Sequence, residues 1–245
     1  MAYRDSEIRK GKHKYDEDDN ESNHIAKYTT HMKAKPKKVV HKGEVAMAHF
    51  KLIDPVLHQA ALPHHEAIRK DMRHRRKYDA LFPALAGSIV SQQLSTKAAD
   101  TIWGRLEKAC KGVVTPEAIQ KLRVASMRKA GLSNAKTKTL KELSKAIQAG
   151  ELDLPALARM SEEDAVTKLS SVWGIGRWTA EMFLMFALQK PDVFSPGDLG
   201  LRRSIEALYE LPKDCPISEL ELIAVRWSPH RTFACRVLWR VRDSG

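Results

Sequence analysis

The sequence predicts an all-α protein, on three observations. From Glu44 onward, apolar residues recur at helical spacing almost throughout. Helix-start signals punctuate the chain at short intervals, and alternating strand patterns are scarce. About ten helices with short connections are expected, with no internal repeat of fixed period, in a 245-residue chain long enough for one large domain or two small lobes.

Residues 1–43 form a different material. They carry 11 Lys/Arg and 7 Asp/Glu, with an acidic run at Asp16-Glu17-Asp18-Asp19 and a basic run at Lys35-Pro36-Lys37-Lys38. Large apolar residues are too few to build a core, so a disordered charged tail is expected. Beyond it, Asp54-Pro55, Thr115-Pro116 and Ser228-Pro229 each pair an N-cap residue with proline at the first helical position. Leu81, Phe82, Leu85 and Ile89 share one helix face; Ile102, Trp103, Leu106 and Cys110 share another. A turn holding Gln92 and Gln93 separates the first of these helices, ending near Ser91, from the next, starting near Thr96. Leu140, Leu143 and Ile147 mark a further helix closed by Gly150. Ser161-Glu162-Glu163-Asp164 and Ser218-Glu219-Leu220-Glu221 resemble capping boxes.

The most informative segment follows. A helix from Ser161 to about Ser171 and a second from Arg177 through Gln189, ended by Pro191, flank Trp173-Gly174-Ile175-Gly176. The glycines tolerate positive φ and let a phosphate approach the backbone. The first-turn amides from Arg177 onward are unpaired and lie at the positive end of the helix dipole. A lone Gly-x-Gly is also an ordinary helix–helix turn, and the reading gains from its setting in a chain with 42 Lys/Arg against 30 Asp/Glu, formal charge +12. Twenty residues after Trp178 comes Asp198, in Ser195-Pro196-Gly197-Asp198, ahead of an amphipathic helix over 199–210 with Leu201, Ile205 and Leu208 on one face. A carboxylate there either caps that helix or stabilises positive charge growing on a sugar and orients water.

The three cysteines, Cys110, Cys215 and Cys235, are too few and too scattered for a disulfide framework, a zinc knuckle or a four-cysteine iron–sulfur cluster. No apolar run nears the length of a membrane span and no signal-peptide stretch opens the chain. The expectation is a soluble protein of a reducing, intracellular compartment, cytoplasmic or nucleoid-associated, or nuclear in a eukaryote.

Ser171–Glu181 followed by Asp198 resembles the helix-hairpin-helix DNA glycosylase superfamily, with its Gly/Pro-rich loop and aspartate. Within it, Ser88-Ile89-Val90-Ser91-Gln92-Gln93-Leu94-Ser95 and Gly174-Ile175-Gly176-Arg177-Trp178-Thr179-Ala180 resemble the alkylation-repair branch, 3-methyladenine DNA glycosylase II. The resemblance spans about residues 45–245. It implies two helical lobes with a DNA-binding cleft between them, one of residues 78–190 and one of residues 44–77 with 191–245, in the compact form that lacks an extra N-terminal α/β domain. It implies that Asp198 is catalytic and that Trp178 and Trp239 line the pocket for a damaged base. Met182 stands in that pocket where some relatives have tyrosine. Trp239 is equally readable as a core residue, and Trp103 more readily as core.

Gln93 would be the wedge that fills the gap left by an extruded nucleotide, although adjacent glutamines also suit a solvated turn. The amides of Gly174, Gly176, Arg177 and Thr179 would hold a phosphate, with carbonyls of Ser170, Val172 and Ile175 on a structural Na⁺ or K⁺ when DNA is bound; no other cofactor is implied. Relatives that also cut the strand use a lysine where this chain has Trp178, so no Schiff base forms there. The function implied is a monomeric, monofunctional DNA glycosylase that removes alkylated purines from duplex DNA and initiates base excision repair. The alternative is a non-catalytic DNA-binding or damage-sensing protein built on the same hairpin.

Overall fold

A computed structural model describes residues 42–72 and 78–244, and the expected tail over 1–43 lies almost wholly outside them. Thirteen α-helices and two short 3-10 turns occur among the described residues, and no strand. The helices are α1 Lys42–Ile53, α2 Pro55–Ala61, α3 His65–Asp71, α4 Leu81–Ser91, α5 Thr96–Ala109, α6 Pro116–Lys121 and α7 Val124–Ala130. They continue with α8 Asn134–Gln148, α9 Glu162–Ser170, α10 Arg177–Phe186, α11 Leu199–Leu208, α12 Ile217–Val225 and α13 Arg231–Ser244. The excess over the ten expected comes from six- and seven-residue helices such as α2, α3, α6 and α7, too short to carry a periodic stripe.

The packing follows the caps and stripes. Helices α2 and α3 each pack on α1 and each lie against α13, and α13 pairs with α11. Helices α4 to α10 form the other set: α4 on α5, α8 and α10, α6 and α7 on α8, and α9 on α10. One apolar core, including Phe50, Leu85, Leu140, Phe183, Ile205 and Leu238, is continuous through both sets. The buried Asp54 caps α2 by accepting from the Leu57 amide at 3.1 Å, and its other oxygen accepts from Tyr209 Oη at 2.7 Å and Trp227 Nε1 at 2.9 Å. That one carboxylate joins the start of α2 to the segments after α11 and α12.

Three expected boundaries are corrected. Ser228-Pro229 does not open a helix: α13 starts at Arg231, because Ser228 Oγ donates to Asp192 instead of accepting from a first-turn amide. Ser218 does not cap either, since α12 begins at Ile217 after Pro216 and the serine falls within the first turn. Helix α10 stops at Phe186, before Gln189: the amides of Leu188 and Lys190 reach back to the carbonyls of Phe183 and Leu184, and Gln189 turns left-handed at φ 52°.

Candidate active site

The hairpin is set by two buried apolar residues and one glycine. Val172 and Ile175 point into the core, and the Ile175 amide donates to the Val172 carbonyl at 3.1 Å. Gly174 has φ 83°, and the place of any Cβ there is taken by the Thr139 hydroxyl, so both conformation and space demand glycine. Gly176 is the N-cap of α10 and brings no side chain to cap it, with open space where a Cβ would stand. Helices α5, α6, α8, α9 and α11 all begin on Ser, Thr or Asp whose oxygen accepts a first-turn amide. The first turn of α10 has no such side-chain cap for its amides.

The Arg177 guanidinium is already engaged. It donates to both oxygens of Glu163, at 2.9 and 2.8 Å, and through Nε to Glu181 at 2.9 Å. Its pKa is pushed up, first by the bond to Glu163. Its side-chain charge is thereby matched by two carboxylates. Glu181 is buried and accepts a further bond, 2.5 Å, from Ser195 Oγ. Burial pushes its carboxyl up, against the bonds from Ser195 and Arg177. The second hairpin helix is thereby fastened to the Ser195–Asp198 turn.

Asp198 is the N-cap of α11. Its Oδ1 accepts from the Leu201 amide at 2.8 Å and from Trp239 Nε1 at 3.0 Å; its Oδ2 accepts from Trp178 Nε1 at 2.8 Å. Trp178 and Trp239 thus meet at the one carboxylate of Asp198, from three helices. The cap reading of Asp198 holds, and its carboxylate also takes both indole N–H groups: Oδ1 caps the helix and meets Trp239, and Oδ2 faces Trp178. Trp178 is 44% exposed, Trp239 is half-buried, and Met182 lies half-buried one turn beyond Trp178. Trp103 is half-buried and packs on Gly87 of α4, outside this cluster.

Sequence reasoning missed Phe186. It lies eight residues after Trp178, is 42% exposed, and its ring centroid is 5.5 Å from that of Trp239. The Arg236 guanidinium lies 4.4 Å from the Phe186 centroid. The i, i+4, i+8 spacing of Trp178, Met182 and Phe186 was a legible signal for one helix face.

Gln93 is exposed at φ 54° in the turn after α4. That turn, the start of α8 and the hairpin enclose a groove of about 730 Å³ that also borders Trp178, Gly174 and Gly176. The Ser170 carbonyl ends α9 while those of Val172 and Ile175 lie in the turn, and that of Val172 keeps one lone pair after accepting from Ile175. Among the described residues, no group of three His, Cys, Asp or Glu is placed to hold a metal ion, and no helix is long and apolar enough to cross a membrane.

Known proteins share this fold. DNA-3-methyladenine glycosylase 1 of Schizosaccharomyces pombe is 33% identical over 70% of this chain and 75% of its own length. The crystal structure of a DNA-3-methyladenine glycosidase from Bacillus halodurans superposes with TM-score 0.70 at 30% identity, covering 84% of this chain and 91% of that one. A 3-methyladenine DNA glycosylase of S. pombe in complex with abasic DNA gives 0.65 at 29%, covering 80% and 95%. Residues 86–229, which include the Gln92-Gln93 turn, the hairpin and Asp198, match the family described as HhH-GPD superfamily base excision DNA repair protein, and the chain belongs to that family.

Proposed function

We propose that this protein is a monofunctional DNA glycosylase that hydrolyses the N-glycosidic bond of alkylated purines, of the 3-methyladenine and 7-methylguanine type, in duplex DNA. The observation that carries the reading is the carboxylate of Asp198 held by the indole N–H groups of Trp178 and Trp239 beside the glycine hairpin. The hairpin amides of Gly174, Gly176, Arg177 and Thr179 grip a phosphate of the damaged strand without reading sequence. The damaged nucleotide leaves the stack, at a cost of a few kcal/mol, and Gln93 fills the gap. Alkylation at N3 or N7 makes the purine cationic, so the faces of Trp178 and Trp239 attract it, by about 0.5–2 kcal/mol when desolvated. Met182 shapes the remaining wall.

As the glycosidic bond breaks, positive charge builds on the sugar. Asp198 stabilises that charge and orients the attacking water. A tryptophan at 178 supplies no amine, so the reaction ends at an abasic site without strand cleavage. The oxygens of Ser170, Val172 and Ile175 suit Na⁺ or K⁺, which would brace the hairpin against the phosphate when DNA is bound; the chemistry draws on no other cofactor. The protein acts as a monomer wherever the cell keeps its DNA, at a nucleoid or in a nucleus.

The test is release of free bases from methylated duplex DNA, separated by chromatography. Wild type is expected to release 3-methyladenine or 7-methylguanine, and Asp198→Asn to slow release at least about a hundredfold while binding duplex as before. Borohydride should trap no covalent adduct. DNA binding with no base release by the wild type would leave the damage-sensing reading instead.

A further inference from the structure

Lys136 is a half-buried cation that the proposed chemistry leaves without a task. It lies in the first turn of α8, the positive end of the helix dipole, where an ammonium gains nothing from its own helix. Its Nζ instead donates to the carbonyls of Val90 at 2.8 Å and Gln92 at 2.7 Å. Those carbonyls end α4 and lead directly into Gln93, whose left-handed φ of 54° a side-chain-bearing residue adopts only under restraint. The neighbouring Gln92 side chain donates from Nε2 to Thr179 Oγ1 at 2.9 Å. Thr179 is buried in the first turn of α10, among the amides that the proposed function assigns to a phosphate. The exposed glutamine is therefore fastened on one side to α8 and on the other to the hairpin helix.

We propose that Lys136, with the Gln92–Thr179 bond, positions Gln93 for insertion into the duplex and couples the hairpin's grip on phosphate to extrusion of the damaged nucleotide. This rests on the glycosylase reading above and adds a positioning residue to it. Lys141, one and a half turns further along α8, shows what a purely structural lysine does here. Its ammonium takes the carbonyls of Gln120 and Leu122 at the end of α6, which lead directly into α7.

The experiment compares single-turnover excision of one lesion in two settings: paired in a duplex, and already unstacked in a bulge. Lys136→Met keeps the stem and removes the ammonium. It is expected to slow excision about tenfold or more on the paired lesion and less than about twofold on the bulged one. Gln93→Ala should show the same split, and Lys141→Met should slow neither selectively. Equal loss on both substrates would assign Lys136 a merely structural role, and no loss on either would remove it from the reaction; both overturn the proposal. Should Lys136→Met fold poorly, Gln92→Leu carries the same comparison, since it removes only the bond to Thr179. If wild type excises neither lesion, the glycosylase reading fails on its own. The positioning claim is then decided by fluorescence of 2-aminopurine in the duplex, which should rise on binding wild type and stay low with Lys136→Met.

Discussion

At the scale of single residues, the carboxylate of Asp198 accepts three N–H groups, two of them indoles. A carboxylate so held has little freedom to swing away from a sugar, and reorganisation it avoids lowers the barrier. Trp178→Phe retains an aromatic face and deletes one bond to a charged acceptor, a change of about 1.5–3 kcal/mol if the reaction's transition state feels all of it. The excision rate should then fall roughly ten- to a hundredfold with affinity for abasic DNA preserved; an unchanged rate would show that the indole N–H does not position the carboxylate. Gln93 presents the opposite balance. Its φ of 54° costs the fold, so Gln93→Gly should raise stability by up to about 1 kcal/mol in chemical denaturation while slowing excision of paired lesions. A stability gain without slower excision would separate the strained turn from the wedge.

At the scale of elements, the recurring device is a charged side chain that closes one helix and ties it to another. Lys136 and Lys141 on α8 close α4 and α6, and Lys190 reaches the Met160 carbonyl at 2.6 Å, ahead of α9. Burial lowers the pKa of all three. Arg231, at the start of α13, donates to Asp192 and to Glu162 at 2.9 Å and so joins α13 to the start of α9 through the segment that leads to Asp198. Asp192 is partly buried, yet its carboxyl ends below the usual range: burial alone would raise it, and the bonds from Arg231 and Ser228 outweigh that. A depressed acid stabilises the fold above its unfolded value and loses that contribution as pH falls through its folded one. Asp192→Asn should therefore cost about 2 kcal/mol at neutral pH. The gap to wild type should begin to close as pH drops through about 3.9 and vanish below the folded value, read from denaturant melts across pH. A gap that stays constant through that range would remove the ion pair as its cause.

At the scale of the whole molecule, what the chain revealed in advance was local. Helical stripes, Asp54, Thr115 and Ser161 as caps, and the hairpin glycines are written within a few residues of one another. What stayed hidden were meetings of distant positions: Trp239 with Asp198 across 41 residues, Lys136 with Gln92 across 44, and the engagement of Arg177 by Glu163. Resemblance placed Trp239 at the site, while the residue pattern left pocket and core equally open. Charge is the one global property legible without any fold, and it carries the last prediction. A formal charge of +12 beside an uncapped helix start makes phosphate neutralisation the main source of affinity for DNA. Each neutralised phosphate adds about 0.9 to the slope of log affinity against log salt, so affinity for undamaged duplex should drop at least about a hundredfold between roughly 50 and 200 mM salt. The chemical step occurs on a nucleotide already extruded and held beside Asp198, where bulk ions screen little. Single-turnover excision at saturating protein should accordingly change less than about twofold over the same range. If the excision rate tracks salt as steeply as binding does, the hairpin's grip and the bond-breaking step are not separable, and surface charge rather than the Asp198 cluster sets the rate.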